Sequence, residues 1–329
     1  MLTILIILLT VIILFYAIGW IDWSFGQKPI WGATFSRIYA EYLGLDWEEA
    51  YLAVLNDLNV PNLRLVAYWS QAETKDDQFN FEDLDWQINQ ALQKNKKVIL
   101  AVGQKAPRWP ECHQPDWANA LSIKEQQEET FEFLTQVINH YKNNPAVTTW
   151  QVENEPLIDF FGKCPPPDKG FLQKEIRLVK SLDPTRPVLI TDSGELSTWR
   201  EAAGLSEILG TTLYRTVWHP WFGIVKHWQY NPLFYRARAE IVKKLTDTKK
   251  VIIAELQAEP WGTENRSLTQ MPVAEQLKSF KVKDLKGNLE FARKTGLPEI
   301  YLWGVEWAYW LKTKHGDSSY WDLMKDTIK

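Results

Sequence analysis

The chain has 329 residues, of which 45% are hydrophobic, with 37 Lys and Arg against 41 Asp and Glu. This length suffices for one large domain or two ordinary ones with a sizeable core. A net charge of −4 argues against a nucleic-acid-binding protein, which is expected to carry a basic excess. Normal apolar content and unbiased Gly and Pro exclude collagen-like, coiled-coil and disordered chains. The composition predicts a globular chain whose unusual feature is its 18 tryptophans.

The first 21 residues contain no charged side chain. Within them, the apolar segment 2–18 is about as long as a helix that crosses a bilayer. A cleaved signal peptide is the alternative, although no basic residue precedes the run and no small-x-small cleavage site follows it. A buried soluble helix is a third interpretation. We expect a transmembrane anchor or signal at 1–21, a spacer at 22–29, and a domain at 30–329 that is held outside the cytoplasm or secreted.

The two cysteines, Cys112 and Cys164, both lie in sequences typical of loops. Neither belongs to a CxxC pair or to a zinc-type spacing with histidine. Two unrelated free thiols are one interpretation. A disulfide between the two loops is the other, and it suits an exported domain. We expect no metal and no cofactor.

Apolar runs alternate with amphipathic stretches along residues 30–329. Several runs are almost continuous in Val, Ile and Leu, which is typical of parallel strands buried on both faces. Asp46 and Ser122 each precede a glutamate by three residues, a spacing that predicts a helix N-cap. The predicted strands are 30–36, 62–69, 97–103, 147–155, 187–193, 210–218, 250–257 and 299–307. The predicted helices are 46–58, 81–95, 122–143, 168–182, 198–208, 232–247, 271–295 and 318–327.

Eight strands, each followed by a helix, predict a (β/α)8 barrel of the TIM type, preceded by a transmembrane helix. A doubly wound open sheet is the alternative. It is disfavoured because no phosphate-binding glycine motif follows an early strand. The sequence contains no internal repeat and no linker to a second domain.

Two glutamates end predicted strands four and seven, at the edge where such a barrel carries its active site. Strand four ends in Asn154-Glu155-Pro156, and Glu255 ends a run of Val and Ile. A carboxylate in this position is costly to bury unless it is paired or functional. Arg64, a charged residue in the second strand, has no obvious structural reason to be there.

These residues resemble the retaining glycoside hydrolases of clan A, and most of all the cellulase-like family 5, over roughly residues 30–320. The resemblance implies that Glu155 is the acid/base, Glu255 the nucleophile and Asn154 a ligand of the sugar 2-hydroxyl. It implies that Arg64 and Tyr214 support the nucleophile.

The resemblance also implies that a tryptophan of strand eight, Trp303 or Trp307, lies under the reactive sugar. The sequence departs from the family at Thr212, where a histidine often stands, and after Glu255. Glu259, in the divergent stretch, is an alternative nucleophile. The departures leave the sugar and the linkage open.

Seven tryptophans lie at or just beyond the predicted strand ends. Each ring taken alone is as easily explained by packing, but together they predict stacking platforms for several pyranose rings. The seven are Trp69, Trp109, Trp218, Trp221, Trp261, Trp303 and Trp307. The expected substrate is therefore a poly- or oligosaccharide. Glu153 is interpreted as structural and Glu195 as a candidate substrate contact.

The sequence predicts a monomeric retaining glycoside hydrolase that acts on a polysaccharide outside the cytoplasm. One alternative is a transglycosylase with the same site. The other is a non-catalytic glycan-binding barrel, which has no need of Glu155, Glu255, Asn154 and Arg64 together. A serine hydrolase is unsupported, because the sequence has no GxSxG motif.

Overall fold

The computed structural model describes residues 16–159, 162–264 and 266–329. Eight parallel strands follow one another in chain order around a closed barrel. They are β1 (Ile30–Thr34), β2 (Asn62–Val66), β3 (Lys97–Val102), β4 (Val147–Val152), β5 (Val188–Asp192), β6 (Ile208–Leu213), β7 (Lys250–Gln257) and β8 (Glu299–Trp303). Pairing of Ile30 with Glu299 begins the seam that closes the barrel. The predicted (β/α)8 barrel is confirmed, and the open sheet is excluded.

Helices cover the outside of the barrel and fill the connections between strands. The side chain of Asp46 caps one helix by accepting a hydrogen bond from the Glu49 N–H, and Ser122 with Glu125 forms a capping box. Both predicted caps are therefore present. The α-helices are Arg37–Tyr42, Trp47–Ala53, Trp69–Ala72, Glu82–Gln93, Ile123–Tyr141, Lys169–Leu182, Arg200–Ala203, Pro232–Leu245, Val273–Ser279, Val282–Lys294, Val305–His315 and Ser319–Ile328, with a π-helical turn at Val54–Leu58 and 3₁₀ turns at Asp116–Ala120 and Leu268–Gln270.

Apolar side chains pack on both faces of the strands. Leu63 and Leu65 of β2 belong to the large core between barrel and helices. A smaller cluster joins side chains of five strands across the barrel interior, namely Ile99, Leu189, Ile208, Ile252 and Tyr301. Burial on both faces explains why these strands read as continuous apolar runs. The interior cluster provides a rigid apolar layer beneath the polar residues at the carboxyl ends of the strands.

Two predicted strands are too long. The prediction 210–218 covers β6 and part of a separate antiparallel hairpin, in which Thr216–His219 pairs with Gly223–Lys226. The prediction 299–307 covers β8 and the start of a helix at Val305. The second error arises because a short apolar run is typical of a buried strand and of a buried helix alike.

The N-terminal prediction is tested only in part. Among residues 16–159, 162–264 and 266–329, no helix is long and apolar enough to cross a bilayer. Residues 1–15 of the predicted anchor or signal lie outside the described residues. Residues 16–29 lie against the barrel wall, where Trp20 packs on Phe291 and the Trp23 N–H donates to the Lys294 carbonyl. Trp20 and Trp23 thus both contact the helix Val282–Lys294.

A disulfide joins Cys112 to Cys164, whose Cα atoms are 5.3 Å apart and whose sequence separation is 52 residues. Cys112 lies in the loop after β3 and Cys164 in the loop after β4. The described chain contains no free cysteine. Of the two interpretations left by the sequence, the structure adopts the covalent link between loops.

Replacing both cysteines by serine should lower the free energy of unfolding by about 4 kcal/mol. The reason is that a closed loop of this length restricts the unfolded chain. Urea unfolding followed by tryptophan fluorescence measures the change. Reductant should move the wild type to the midpoint of the double variant and leave that variant unaffected. Equal midpoints for the two oxidised proteins would contradict the prediction.

Candidate active site

The guanidinium of Arg64 lies at the centre of the site, fully buried at the mouth of the barrel. Its Nη1 donates to Glu255 Oε1 at 2.9 Å, and its Nη2 donates to Asn154 Oδ1 at 2.7 Å. Nε donates to Gln151 Oε1 at 2.7 Å. One cation of β2 therefore fixes side chains that belong to β7 and to the end of β4.

Glu255 accepts a hydrogen bond on each carboxyl oxygen. Arg64 donates to Oε1, and the hydroxyl of Tyr214, the residue after β6, donates to Oε2 at 2.9 Å. Burial, followed by the Glu255 charge, holds the pKa of Tyr214 well above its usual value, so that this phenol stays a donor. Two donors on one buried carboxyl suit a carboxylate in a fixed orientation.

The turn after β4 brings Asn154 and Glu155 into the mouth. Glu155 has a φ of 44°, in the left-handed region that non-glycine residues rarely adopt. Its N–H donates to Thr191 Oγ1 at 2.8 Å, and the Thr191 hydroxyl donates to Asn154 Oδ1 at 3.1 Å. Lys105 Nζ donates to the carbonyl of Glu155 at 3.0 Å. Hydrogen bonds with Lys105, in the loop after β3, and with Thr191 of β5 therefore hold the left-handed backbone of this turn.

The carboxyl of Glu155 is buried, and it lies in the field of other carboxyls. Burial raises its pKa most, and the charges of Glu255 and Glu111 raise it further. Burial and the neighbouring charges therefore both favour the protonated form of Glu155. The site pairs a carboxyl whose protonated form is favoured with a second carboxyl that accepts hydrogen bonds from a cation and a phenol.

Glu111 is a third carboxyl of this site, and the sequence interpretation missed it. Its Oε2 accepts a hydrogen bond from Asn154 Nδ2 at 3.1 Å. Burial and the nearby Glu255 charge raise its pKa to about 7. The neighbouring disulfide at Cys112 fixes its loop, and Gly162 packs so closely that a Cβ there would lie 2.5 Å from the Cβ of Glu111.

Arg108, from the same loop, is a second residue that sequence reasoning missed. Its guanidinium lies between two aromatic rings, 3.8 Å from the centroid of Tyr39 and 4.0 Å from that of Trp303. It forms ion pairs with Glu259 at 2.5 Å and Glu306 at 2.9 Å. Glu259 is thus engaged by a cation other than Arg64. The predicted platform Trp303 lies at the site, but an arginine covers one face of its ring.

The predicted tryptophans occupy different environments. Trp69 and Trp307 are fully buried, and their indole N–H groups donate to Glu73 and Gln276. Neither ring has a face for a sugar, so both are corrected to core residues; Trp307 also lies on a helix rather than on β8. Trp261 contacts Tyr214 edge to face, with ring centroids 5.3 Å apart. Trp109 is 67% exposed on the disulfide-linked loop.

Glu153 and Glu195 have support roles in the structure. Glu153 accepts hydrogen bonds from the N–H groups of Gln104 and Lys105 at 2.7 and 2.6 Å, so it orders the loop after β3. Glu195 accepts from the Tyr235 hydroxyl at 2.6 Å and from the Tyr214 N–H at 3.3 Å. It thereby positions the tyrosine that contacts Glu255. Glu153 thus has the structural role that the sequence predicted, whereas the support that Glu195 gives to Tyr214 was not predicted, because it arises from contacts between distant parts of the chain.

Among the described residues, the carboxylates close enough to share a metal ion are Glu73, Asp76 and Asp77. Both oxygens of Glu73 already accept hydrogen bonds, from the Trp69 indole and the Asp77 N–H. Exposed acidic groups of this kind are common without a metal.

Comparison with known proteins supports a glycosidase. A model of glycoside hydrolase family 42, described as beta-galactosidase, matches residues 47–182 of this chain. That range runs from the first long helix to the helix after β4, and it includes Arg64, Asn154 and Glu155. No curated protein matches the chain in sequence.

Solved glycoside hydrolases share the barrel at low sequence identity. A family 5 enzyme from Streptomyces cattleya, in complex with GlcNAc, has a TM-score of 0.55 and 12% identity, over 84% of this chain and 70% of that one. A cold-adapted beta-galactosidase from Rahnella sp. R3 has a TM-score of 0.60 and 13% identity, over 93% and 56%. A family 10 endo-beta-1,4-xylanase from Gloeophyllum trabeum has a TM-score of 0.57 and 12% identity, over 94% and 99%.

At these identities the solved structures show a common fold. This chain spans about half of the Rahnella enzyme and nearly all of the xylanase. The family match and the shared barrel confirm the predicted resemblance to clan A-type glycoside hydrolases.

The raised pKa of Glu111 makes stability depend on pH. A carboxyl whose pKa is higher in the folded than in the unfolded protein destabilises the fold as pH rises from about 4 to about 7. Glu111→Gln should therefore be more stable than the wild type at pH 8. The difference in free energy of unfolding between variant and wild type should be on the order of 1–3 kcal/mol more favourable to the variant at pH 8 than at pH 4. Urea midpoints at the two pH values measure the difference.

Glu125→Gln is the matched control, with the opposite sign. Hydrogen bonds to Ser122 lower the pKa of Glu125, so its ionised form stabilises the helix N-terminus. Relative to the wild type, Glu125→Gln should lose stability as pH rises through the range in which carboxyl groups ionise. An equal response of the two variants to pH would show that Glu111 is not the group that titrates.

Proposed function

We propose that this chain is a retaining glycoside hydrolase in which Glu155 is the acid/base and Glu255 the nucleophile. The observation that carries the proposal is the unequal environment of two buried glutamates at the mouth of one barrel. Burial and neighbouring carboxyls raise the pKa of Glu155 and favour its protonated form, whereas Arg64 and Tyr214 both donate hydrogen bonds to Glu255. Double displacement at a sugar requires one carboxyl that gives a proton and one that attacks as a carboxylate.

The proposed reaction has two steps. The Glu255 carboxylate attacks the anomeric carbon while the glycosidic carbon–oxygen bond breaks, and the departing oxygen takes the proton of Glu155. A covalent glycosyl ester on Glu255 results. The Glu155 carboxylate then takes a proton from water, whose oxygen attacks the anomeric carbon and releases Glu255. The enzyme returns to its starting protonation state.

Asn154 and Glu111 face the same reaction centre. Asn154 Oδ1 accepts a hydrogen bond from Arg64, so Nδ2 of Asn154 is the group that can donate to a sugar hydroxyl. In the structure this Nδ2 donates to Glu111. A hydroxyl placed between them accepts from the amide and donates to the carboxyl. This arrangement supports recognition of the sugar beside the scissile bond.

We propose a poly- or oligosaccharide substrate on the basis of the exposed Trp109, which lies on the same loop as Glu111. A flat indole at the rim of a cleft gives a further sugar ring a surface on which to stack. Two of the structural neighbours named above are a beta-galactosidase and an endo-beta-1,4-xylanase, and the third is in complex with GlcNAc. Product analysis on β-glucans, mannans, xylans and galactans therefore identifies the sugar, and it detects transfer to a sugar in place of water.

Glu155→Gln should reduce kcat roughly 10²–10⁴-fold, because general acid catalysis is lost. The loss should be smaller for aryl glycosides with good leaving groups, which need less protonation. Glu255→Ala should nearly abolish turnover, and added azide should restore part of it with a glycosyl azide of inverted configuration. With Glu155→Ala, azide should intercept the glycosyl enzyme and give the retained configuration.

Glu259→Ala is the control for the nucleophile, since Glu259 is also a buried glutamate near the end of β7. It should keep the stereochemical course of the wild type. Azide rescue of Glu259→Ala, with normal activity in Glu255→Ala, would move the nucleophile to Glu259. A product of inverted configuration from the wild type would contradict the double displacement. Binding of glycans without turnover would identify a non-catalytic barrel.

We also propose that residues 1–15 attach the enzyme to a membrane outside the cytoplasm. They are uncharged and strongly apolar. The packing of Gly19 and Trp20 on the domain supports an uncleaved segment, since cleavage near residue 20 would remove these contacts. The enzyme would then act at the membrane surface.

The full chain should sediment with membranes and resist an alkaline carbonate wash. A chain that begins at Tyr16 should be soluble and should keep the same thermal unfolding midpoint. Full chain recovered in the soluble fraction would contradict the anchor. A mature N-terminus near residue 20 would replace the anchor with a cleaved signal.

A further inference from the structure

The hairpin after β6 presents exposed aromatic side chains at the mouth end of the barrel. Trp221 is 85% exposed, Phe222 is 77% exposed, and Trp228, just after the hairpin, is 63% exposed. Together with Ile224 they form a surface that we call the aromatic tip. Grouped apolar side chains of this size mark an interaction surface, because water solvates them poorly.

The N-terminal chain joins the domain at this same place. The Tyr16 hydroxyl donates to the Trp228 carbonyl at 2.6 Å, and the Leu233 N–H donates to the Gly19 carbonyl at 3.1 Å. A Cβ on Gly19 would lie 2.1 Å from Nδ2 of Asn231, so only glycine permits this approach. Residues 1–15 therefore connect to the barrel next to the aromatic tip.

The chain then runs along the wall to the opposite end of the barrel, where β1 begins. Trp23 contacts the end of the helix Val282–Lys294 there, through its N–H and the Lys294 carbonyl. An apolar segment that leaves from the mouth end brings that end toward any bilayer it enters. The amino-terminal end of the barrel faces away.

The charge around the aromatic tip also suits a lipid surface. Residues 216–231 contain one lysine and two histidines and no Asp or Glu. The adjoining cleft, in contrast, contains the carboxyls of Glu111, Glu155 and Glu255. Lys226 of the hairpin is paired with Asp284 at 2.7 Å. The hairpin segment itself adds no negative charge that anionic headgroups would repel, and tryptophan favours the membrane–water interface because its ring is apolar and its N–H is polar.

We propose that the aromatic tip inserts into the interface of a phospholipid bilayer and so orients the mouth of the barrel toward the membrane. The proposal rests on the proposed attachment of residues 1–15 to that bilayer. Two points of attachment, the N-terminal segment and the hairpin, define an orientation that one alone does not. The glycans within reach are then those close to the membrane surface.

The test places a fluorophore on the tip of the full-length protein. Phe222→Cys is labelled with an environment-sensitive NBD group, and the protein is reconstituted into vesicles of phosphatidylcholine and phosphatidylglycerol. Insertion predicts a blue-shifted emission and loss of most of the fluorescence when the acyl chains are brominated. Phe25→Cys is the matched control, since Phe25 is 75% exposed but precedes β1 at the opposite end. Its label should stay unquenched.

Flotation of the vesicles separates the possible failures. A full chain that does not float with the vesicles overturns both the attachment and the insertion. A chain that floats while the label at 222 behaves like the label at 25 overturns the insertion alone.

The double variant Phe222→Ser/Ile224→Ser, which changes two exposed residues of the tip, tests the competing occupant, a sugar chain. Insertion predicts an unchanged KM on a soluble glycan, in contrast to Trp109→Ser, which should raise KM. A raised KM for the double variant, with no quenching at 222, would assign the aromatic tip to carbohydrate binding and overturn the proposal.

Discussion

The site depends on one buried cation. Removing the guanidinium of Arg64 from water is costly unless carboxylate and polar oxygens surround it. Glu255, Asn154 and Gln151 supply those oxygens from the far side of the barrel. The need to satisfy Arg64 therefore fixes the register of β4 and β7 relative to β2, and with it the orientation of the candidate nucleophile.

The placement of the Arg64 donors also separates the roles of the two glutamates, Glu155 and Glu255. Arg64 has donors for one carboxyl and for the amide beside the other, but none for Glu155, which lies buried near two more carboxyls. Charged residues of the loop after β3 lie around both glutamates. Glu111 raises the pKa of Glu155 and Lys105 lowers it, while Arg108 forms ion pairs with Glu259 and Glu306. The conformation of this loop is held by the Cys112–Cys164 disulfide and by the hydrogen bonds of Glu153. Catalytic geometry and loop stability are therefore coupled in this protein.

The mouth of the barrel carries two surfaces of different chemistry. One is the carboxyl-rich cleft around Glu155, with Trp109 at its rim. The other is the aromatic tip around Trp221, whose segment 216–231 has no Asp or Glu of its own and which lies where the N-terminal chain joins the domain. The proposed sugar cleft and the proposed lipid-facing hairpin therefore lie at the same end of the barrel.

The sequence by itself determined the barrel, its eight strands, and the residues at the ends of β4 and β7. It could do so because parallel strands buried on both faces need long apolar runs, and a charge that ends such a run stands out. Only the tertiary structure decided which tryptophans are core, since Trp69 and Trp307 have the same local pattern as Trp303. It alone brought Glu111 and Arg108 into the site, because side chains on an irregular loop follow no periodicity. Their positions depend on a disulfide and on hydrogen bonds to residues distant in the chain, and these long-range contacts leave no pattern in the local sequence.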